Sequence, residues 1–310
     1  MEGLLKSSES RLGYFLYFWR FRRIGRGYFG TVYKMRVSEA GPEVAVKELQ
    51  LTQPDIDTRR ILNESIFGAK VGNCPYALKS YGCLLQDGTV RLFMEIMDMI
   101  FLSASLQTHA MGEIVPEQFI AYITKCIVTG LEFLNRECNI HHRDVKPSNM
   151  LVDRSGQVKI CDFGMSNEMI DMKTMTNVGT FIYQAPERLD ASSGFRIQSD
   201  VWSLGLSVYK IATNDHPYAQ LVDSLDYMNT VLQSDIPTLP EGDEEAGATA
   251  SYSSVIRDFL AFCLVKEERQ RPDFAALLQS TFLAPVDLAS VKPDFAAFVT
   301  RILAAGTPSW

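Results

Sequence analysis

The sequence predicts an α+β protein of two lobes, β-rich over residues 20–98 and α-helical over 99–283, with a short lead (1–19) and a tail (284–310). Two observations carry this. From about residue 20 to 97, short β-branched and aromatic runs alternate with glycine turns, the pattern of strands. After residue 99, apolar residues recur at i, i+3, i+4, the pattern of helices. No internal repeat and no long linker interrupts either half.

The lead "MEGLLKSSESRLGYFLYFWR" holds an apolar run from Leu12 to Trp19 that is broken by Gly13 and bounded by arginines. It is shorter than the ~20 residues a membrane span needs, and no small-residue cleavage site follows it. It is expected to pack as an aromatic lead-in on the first strand, and the chain to be cytoplasmic or nuclear. "FRRIGRGYFGTVYKMRV" reads as strand, glycine turn, strand, and "EVAVKEL" as a further strand. "DIDTRRILNESIFGAKV" has helical spacing at Ile61, Leu62 and Ile66. "YALKSYGCLLQDGTVRLFMEIMD" predicts two strands joined at Asp87-Gly88.

In the second half, "PEQFIAYITKCIVTGLEFLNREC" opens with proline and glutamate and continues as an apolar-periodic helix. "SDVWSLGLSVYKIAT", with Ser199 and Asp200 at its expected start, is apolar nearly all round, as a buried helix is. Residues 241–251 form an acidic, small-residue loop with little tendency to order. Two short helices, "YSSVIRDFLAFCL" and "FAALLQSTFL", and an amphipathic "DFAAFVTRILAA" complete the chain.

A net charge of -7 argues against a nucleic-acid surface, which needs a basic excess. Arg20, Arg22, Arg23 and Arg26 read as solvated charge at a strand edge. The six cysteines show no CxxC pair and no histidine at metal spacing, as expected of free thiols in a reducing compartment. Cys161, directly before Asp162, is either a thiol at the lip of a ligand pocket or a buried structural one.

The motifs carry more. Gly25, Gly27 and Gly30 form a GxGxxG with Val32 two residues on. Alone it also fits a dinucleotide loop, but these glycines join two strands, where a dinucleotide loop leads into a helix. A glycine hairpin lets backbone N–H groups approach phosphates closely. Lys47 in "VAVK" supplies a point charge, and Glu64, 17 residues later, a carboxylate to hold it. In "HHRDVKPSNMLV", Asp144 can accept a proton from a hydroxyl, Lys146 can neutralise a transferred phosphoryl group, and Asn149 offers a carbonyl oxygen to a metal. Asp162 of Asp-Phe-Gly, 18 residues after Asp144, is a hard oxygen ligand suited to Mg²⁺. Phosphoryl transfer requires this set.

In this order the motifs resemble the protein kinase signature over about residues 20–283. The resemblance implies a bilobal kinase fold and ATP with Mg²⁺ as cofactors. It implies an adenine pocket of Ile24, Val32, Ala45, a gatekeeper Met94, and a hinge from Glu95 to Met97. It further implies that Asp200 braces the catalytic loop, that Glu187 pairs with Arg271, and that Lys146 marks a serine/threonine-type loop. "HRDVKPSNMLV", "KICDFGMS", "VGTFIYQAPERL", "SDVWSLGLSVYK" and "NCPYALKSYG" are similar to the MAP kinase kinases. The implied reaction is phosphorylation of a MAP kinase on threonine and tyrosine, with Asn73 to Tyr76 and the tail leaning to the stress-activated branch. The tail "VDLASVKPDFAAFVTRIL" is similar to the segment that docks an upstream MAP kinase kinase kinase, and it reads equally as a helix closing the helical lobe.

Between Asp162 and Glu187 the resemblance implies an activation segment in which Thr180 is structural and Thr176 the regulatory phosphosite. Thr174 lies off the family spacing, a substitute site at most, and Met172 stands where a first phosphosite is expected. The leading 20-odd residues offer no clean example of the family's basic-then-aliphatic docking peptide, no proline-rich insert is read near 215–250, and Gly68, one turn after Glu64, is expected to loosen its helix. Three readings follow: an active MAP kinase kinase, a kinase-fold scaffold with weak catalysis, or an active kinase with another substrate.

Overall fold

A computed structural model describes residues 19–27, 30–36, 41–50, 66, 68–72, 74–97, 100–101, 114–162, 181–189, 196–221, 223–240 and 252–305, and structural statements below refer to these. Residues 1–18 of the lead, Glu64, Asn73, Met172, the three threonines and the acidic loop (241–251) lie outside them.

Five strands form one antiparallel sheet: β1 (Trp19–Gly27), β2 (Gly30–Arg36), β3 (Glu43–Gln50), β4 (Ser80–Gln86) and β5 (Thr89–Met94), in the order β1-β2-β3-β5-β4. Period-two alternation divides β3 between two cores. Val44 and Val46 join Met35 and Phe93 on one face, whereas Ala45 lies on the other with Leu92 and Met94. Asp87 and Gly88 both have positive φ, the backbone of a two-residue hairpin turn between β4 and β5. A second sheet of three strands, β6 (Ile100–Phe101), β7 (Met150–Val152) and β8 (Val158–Ile160), lies in the order β6-β7-β8.

The helices follow: α1 (Glu117–Arg136), α2 (Pro186–Leu189), α3 (Ile197–Thr213), α4 (Ser224–Gln233), α5 (Ser254–Cys263), α6 (Phe274–Leu278) and α7 (Leu288–Ala305). Helices α1 and α3 are buried nearly all round and form the centre of the helical core with Tyr227, Phe259, Phe274 and Phe295. Asp223, Ser253 and Asp273 cap α4, α5 and α6 by accepting from backbone N–H groups of the first turn.

Three expectations change here. Helix α3 starts at Ile197 after Arg196, so Ser199 and Asp200 lie inside its first turn and Asp200 is free to reach the catalytic loop. Val71, Cys74 and Ala77 precede the sequence boundary at residue 98, yet they pack in the helical lobe's core. The segment is stitched there by a parallel bridge from Ala77 to Ile160, with Ile160 N donating to Tyr76 O and Leu78 N to Ile160 O, each at 2.9 Å. Gly68 is a packing requirement: a Cβ there would overlap the Cβ of Ser80 on β4. The glycine brings its helical turn (68–70) onto the sheet, which a larger residue would prevent.

Candidate active site

The cleft between sheet and helices is lined by one apolar cluster. Ala45, Leu78, Leu92, Met94, Met97, Leu151 and Cys161 are buried in it, and Ile24, Val32 and Cys83 pack against it from the edge. The glycine strands β1 and β2 pair with Gly27 opposite Gly30 and Gly25 opposite Val32. Five of the predicted adenine-pocket residues therefore converge, namely Ile24, Val32, Ala45, Met94 and Met97, and Lys47 lies on the same strand as Ala45. Cys161 is 8% exposed, which favours the buried thiol of its two readings.

Glu95 occupies the predicted hinge, and its carboxylate is fully engaged by protein donors. It accepts from Lys159 Nζ at 2.7 and 2.8 Å and from Lys79 N at 2.7 Å. Its own N–H donates to Lys79 O at 3.0 Å. A flat base reaching the hinge would thus meet the backbone of residues 95–97 and not this side chain. Lys159, 6% exposed, was missed by sequence reading. Its signal was available, since a lysine inside an otherwise apolar three-residue strand needs a partner.

Lys47 and Leu92 are paired across β3 and β5, so the ammonium shares a face with the cluster. Lys47 Nζ lies 3.6 Å from Asp162 Oδ2. This contact brings together the predicted phosphate-binding cation and the predicted metal ligand, from opposite lobes.

The catalytic loop is the most connected part of the site. Asn149 Nδ2 donates to Asp144 O at 2.7 Å and to Asp144 Oδ2 at 3.0 Å, and Lys146 Nζ reaches the same oxygen at 2.9 Å. Its amide nitrogen is thus spent on Asp144, and the carbonyl oxygen is the hard donor that Asn149 could offer a cation. Asp200 Oδ2 and Oδ1 accept from the N–H groups of His142 (2.9 Å) and Arg143 (2.8 Å). Burial pushes the Asp200 carboxyl up to about 7, opposed by those same two N–H groups. Arg143 and Asp162 have φ of 66° and 68°, a left-handed backbone that costs a non-glycine residue of order 1–3 kcal/mol and persists only where partners impose it. His142 is one such partner: Nδ1 accepts from Asp144 N at 3.2 Å, so Nε2–H donates to Cys161 O at 2.9 Å. Burial lowers its pKa and favours the neutral ring this requires.

Beyond the loop, Arg271 is buried and grips Glu187 through two bonds, Nη1 at 2.9 Å and Nη2 at 3.1 Å. Its guanidinium also lies over Trp202, 5.2 Å from the ring centre. Tyr183 is a residue sequence reading passed over. Burial and then the nearby Asp144 charge raise its phenol pKa, and its ring meets His216 edge-on at 4.5 Å. Burial pushes His216 down to about 4, so it is neutral near pH 7.

The tail forms α7 and packs on α1, with Phe295 5.5 Å from Phe119 and 5.0 Å from Tyr122, ring centre to ring centre. Among the described residues no helix is long and apolar enough to cross a membrane.

Comparison with known proteins agrees with this geometry. The protein kinase domain family matches residues 18–283. MAP kinase kinase mkk-4 of Caenorhabditis elegans is 37% identical over 84% of this chain and 71% of its own length. The dual specificity mitogen-activated protein kinase kinase sek-1 of the same organism is 34% identical over 84% of this chain and 76% of its own. The human dual specificity mitogen-activated protein kinase kinase 7 is 33% identical over 91% of this chain and 65% of its own. The chain spans about half the length of the mouse counterpart of the last, 51%.

Proposed function

Since the chain belongs to the protein kinase family, and within it to the MAP kinase kinases, we propose that it transfers the γ-phosphoryl group of ATP to threonine and tyrosine hydroxyls of a MAP kinase activation loop. The observation that carries this is the fixing of Asp144 by Asn149 and Lys146, together with the contact between Lys47 and Asp162. Catalysis of this kind is positioning and charge neutralisation, with little covalent work for the protein.

Each residue then has a task. Ile24, Val32, Ala45, Met94 and Met97 enclose the adenine, and the hinge backbone orients it. Gly25, Gly27 and Gly30 bring backbone N–H groups to the phosphates. Lys47 binds phosphate oxygens, held by Glu64. The Asn149 carbonyl and the Asp162 carboxylate are hard oxygen donors and fit Mg²⁺. Held by these two donors, Mg²⁺ would supply positive charge that offsets the phosphates. Asp144 takes the proton of the acceptor hydroxyl, and Lys146, already 2.9 Å from it, neutralises the transferring group. Asp200, Glu187 and Arg271 keep the loop and the segment after it in place.

Regulation falls on the segment between Asp162 and Glu187. Phosphate on Thr176 would order it through basic partners, Arg143 first, with Thr174 subordinate and Thr180 shaping the acceptor site. Helix α7 would receive the upstream MAP kinase kinase kinase. The protein would act in stress signalling in the cytoplasm, with the nucleus a second location. The scaffold reading leaned partly on Gly68, and packing against Ser80 now accounts for that glycine. Phosphosite mapping on a panel of purified MAP kinases incubated with this protein tests the proposal. Paired threonine and tyrosine sites in one MAP kinase are expected, and sites confined to unrelated proteins would refute it.

A further inference from the structure

The hairpin of β7 and β8 has two functional ends. At its base, Cys161 N donates to Asn149 O at 2.9 Å, a rung lying between the two candidate metal ligands Asn149 and Asp162. Three residue pairs follow: Met150 with Ile160, Leu151 with Lys159, and Val152 with Val158. The turn is closed by Asp153 N to Gln157 O at 3.1 Å and Gly156 N to Asp153 O at 3.0 Å. Asp153 Oδ1 adds bonds from the N–H groups of Ser155 (2.8 Å) and Gln157 (3.0 Å). So short and fully bonded a ribbon moves as a unit over its length, roughly 13 Å at ~3.3 Å per residue.

The turn is gripped by the tail. Gly156, with φ +77°, lies so close to α7 that a Cβ would sit 2.9 Å from Lys292 O and 3.2 Å from the Ala296 Cβ. From α1, the Tyr122 hydroxyl donates to Gly156 O at 2.8 Å, and the Tyr122 ring rests on Phe295 of α7. Phe298 continues the contact, 5.0 Å from Phe119. Lys125 of α1 holds the approach to the helix by donating to Val286 O at 2.8 Å. Phe295 and Val299 are 2% and 5% exposed, so the tail is core here and not an appendage.

We infer that α7 is a positioning element of the metal site: by clamping the turn at Gly156 it fixes the register of the hairpin whose base carries Asn149 and Asp162. Whatever loosens α7 therefore loosens the Asn149–Cys161 rung, and a partner seated on the tail is coupled to the nucleotide end of the cleft through a bonded ribbon. The inference rests on the reading of Asn149 and Asp162 as metal ligands given above.

The test uses hydrogen exchange of the full, ligand-free chain. Phe295→Ala is compared with Phe259→Ala, a buried aromatic of α5 that packs on Phe282 and touches neither hairpin nor tail helix in the contacts described. Each variant is followed in peptides covering 149–162, at a denaturant concentration that equalises global stability. The expected result is a loss of protection on the order of ten-fold in 149–162 for Phe295→Ala alone. Should Phe295→Ala fail to fold, Phe298→Ala, at a half-buried position, gives the same comparison. Equal loss in tail and control variants, or none in the tail variant, overturns the inference. Binding of magnesium ADP forms a separate arm. A tail variant that binds it several-fold more weakly than the control supports the link to the metal site, and one that binds it equally well overturns that link. Failure of the unmodified protein to bind magnesium ADP would instead refute the functional reading, leaving the exchange result to stand alone.

Discussion

Glu95 and Lys159 form an ion pair 2.7 Å long behind the hinge, joining the last residues of the five-stranded sheet to the strand that leads into Asp162. The pair ties the proposed adenine end of the site to its proposed metal end. Lys159 is almost wholly buried, so its charge is tolerable only while Glu95 answers it. Removing one partner should cost more than removing both. Glu95→Gln, which leaves the buried Lys159 charge unanswered, is expected to lower stability by about 3 kcal/mol in urea unfolding, and adding Lys159→Met should return part of that loss. Additive losses would show that the two side chains do not interact.

Gly68→Ala has a sign that separates two accounts. On an exposed helix the change would stabilise by about 1 kcal/mol. Here the new methyl meets Ser80 on β4, so a loss of about 1–3 kcal/mol is expected in thermal unfolding. A gain in Tm would restore the view that Gly68 merely loosens its helix.

His216 supplies a pH dependence. Burial first, and Lys210 next, lower its pKa to about 4 from an ordinary 6.5, while Asp215 opposes them. A depressed folded pKa means that the stability this group contributes is complete above pH 6.5 and is lost as pH falls through 4. Over that interval the loss is roughly 3 kcal/mol. His216→Phe keeps a ring beside Tyr183 without the titration, so its stability should fall less between pH 7 and 4. Asp200 acts in the opposite sense, since its raised pKa gives a contribution present below 3.8 and lost as pH rises through about 7. Parallel stability curves for His216→Phe and the unmodified chain would contradict the assignment.

The activation-segment threonines give a functional ordering. Thr176→Ala should abolish activation by an upstream kinase, measured as phosphate incorporated into a MAP kinase, and Thr174→Ala should weaken it little. The reverse order would move the switch to Thr174.

Much of the site was legible because its chemistry needs particular side chains at particular spacings. The Asp144, Lys146, Asn149 run and Asp162 stand out by residue type and spacing, and the fold brings them within hydrogen-bonding or ion-pair reach of one another or of Lys47. The two-lobe α+β fold followed from a change of hydrophobic period. Less legible was anything set by packing between distant segments. Lys159 finds Glu95 across 64 residues, and His142 links Asp144 to Cys161 through ring nitrogens whose roles depend on neighbours. The tail left two readings open because an amphipathic helix presents the same pattern whether it meets a partner or its own lobe. Only the seat of Phe295 against Tyr122 shows which face the lobe has taken. Gly68 misled for a related reason, since helix propensity describes an isolated helix and not one pressed on a sheet.

The central claim is phosphoryl transfer by Asp144 on a fixed loop. Its most direct test is phosphate incorporation into a catalytically dead MAP kinase, comparing the unmodified chain, after exposure to an upstream kinase, with Asp144→Asn. The account predicts incorporation on both threonine and tyrosine for the unmodified chain, reduced by at least about 100-fold in Asp144→Asn while nucleotide binding persists. Equal incorporation by the two proteins would contradict it.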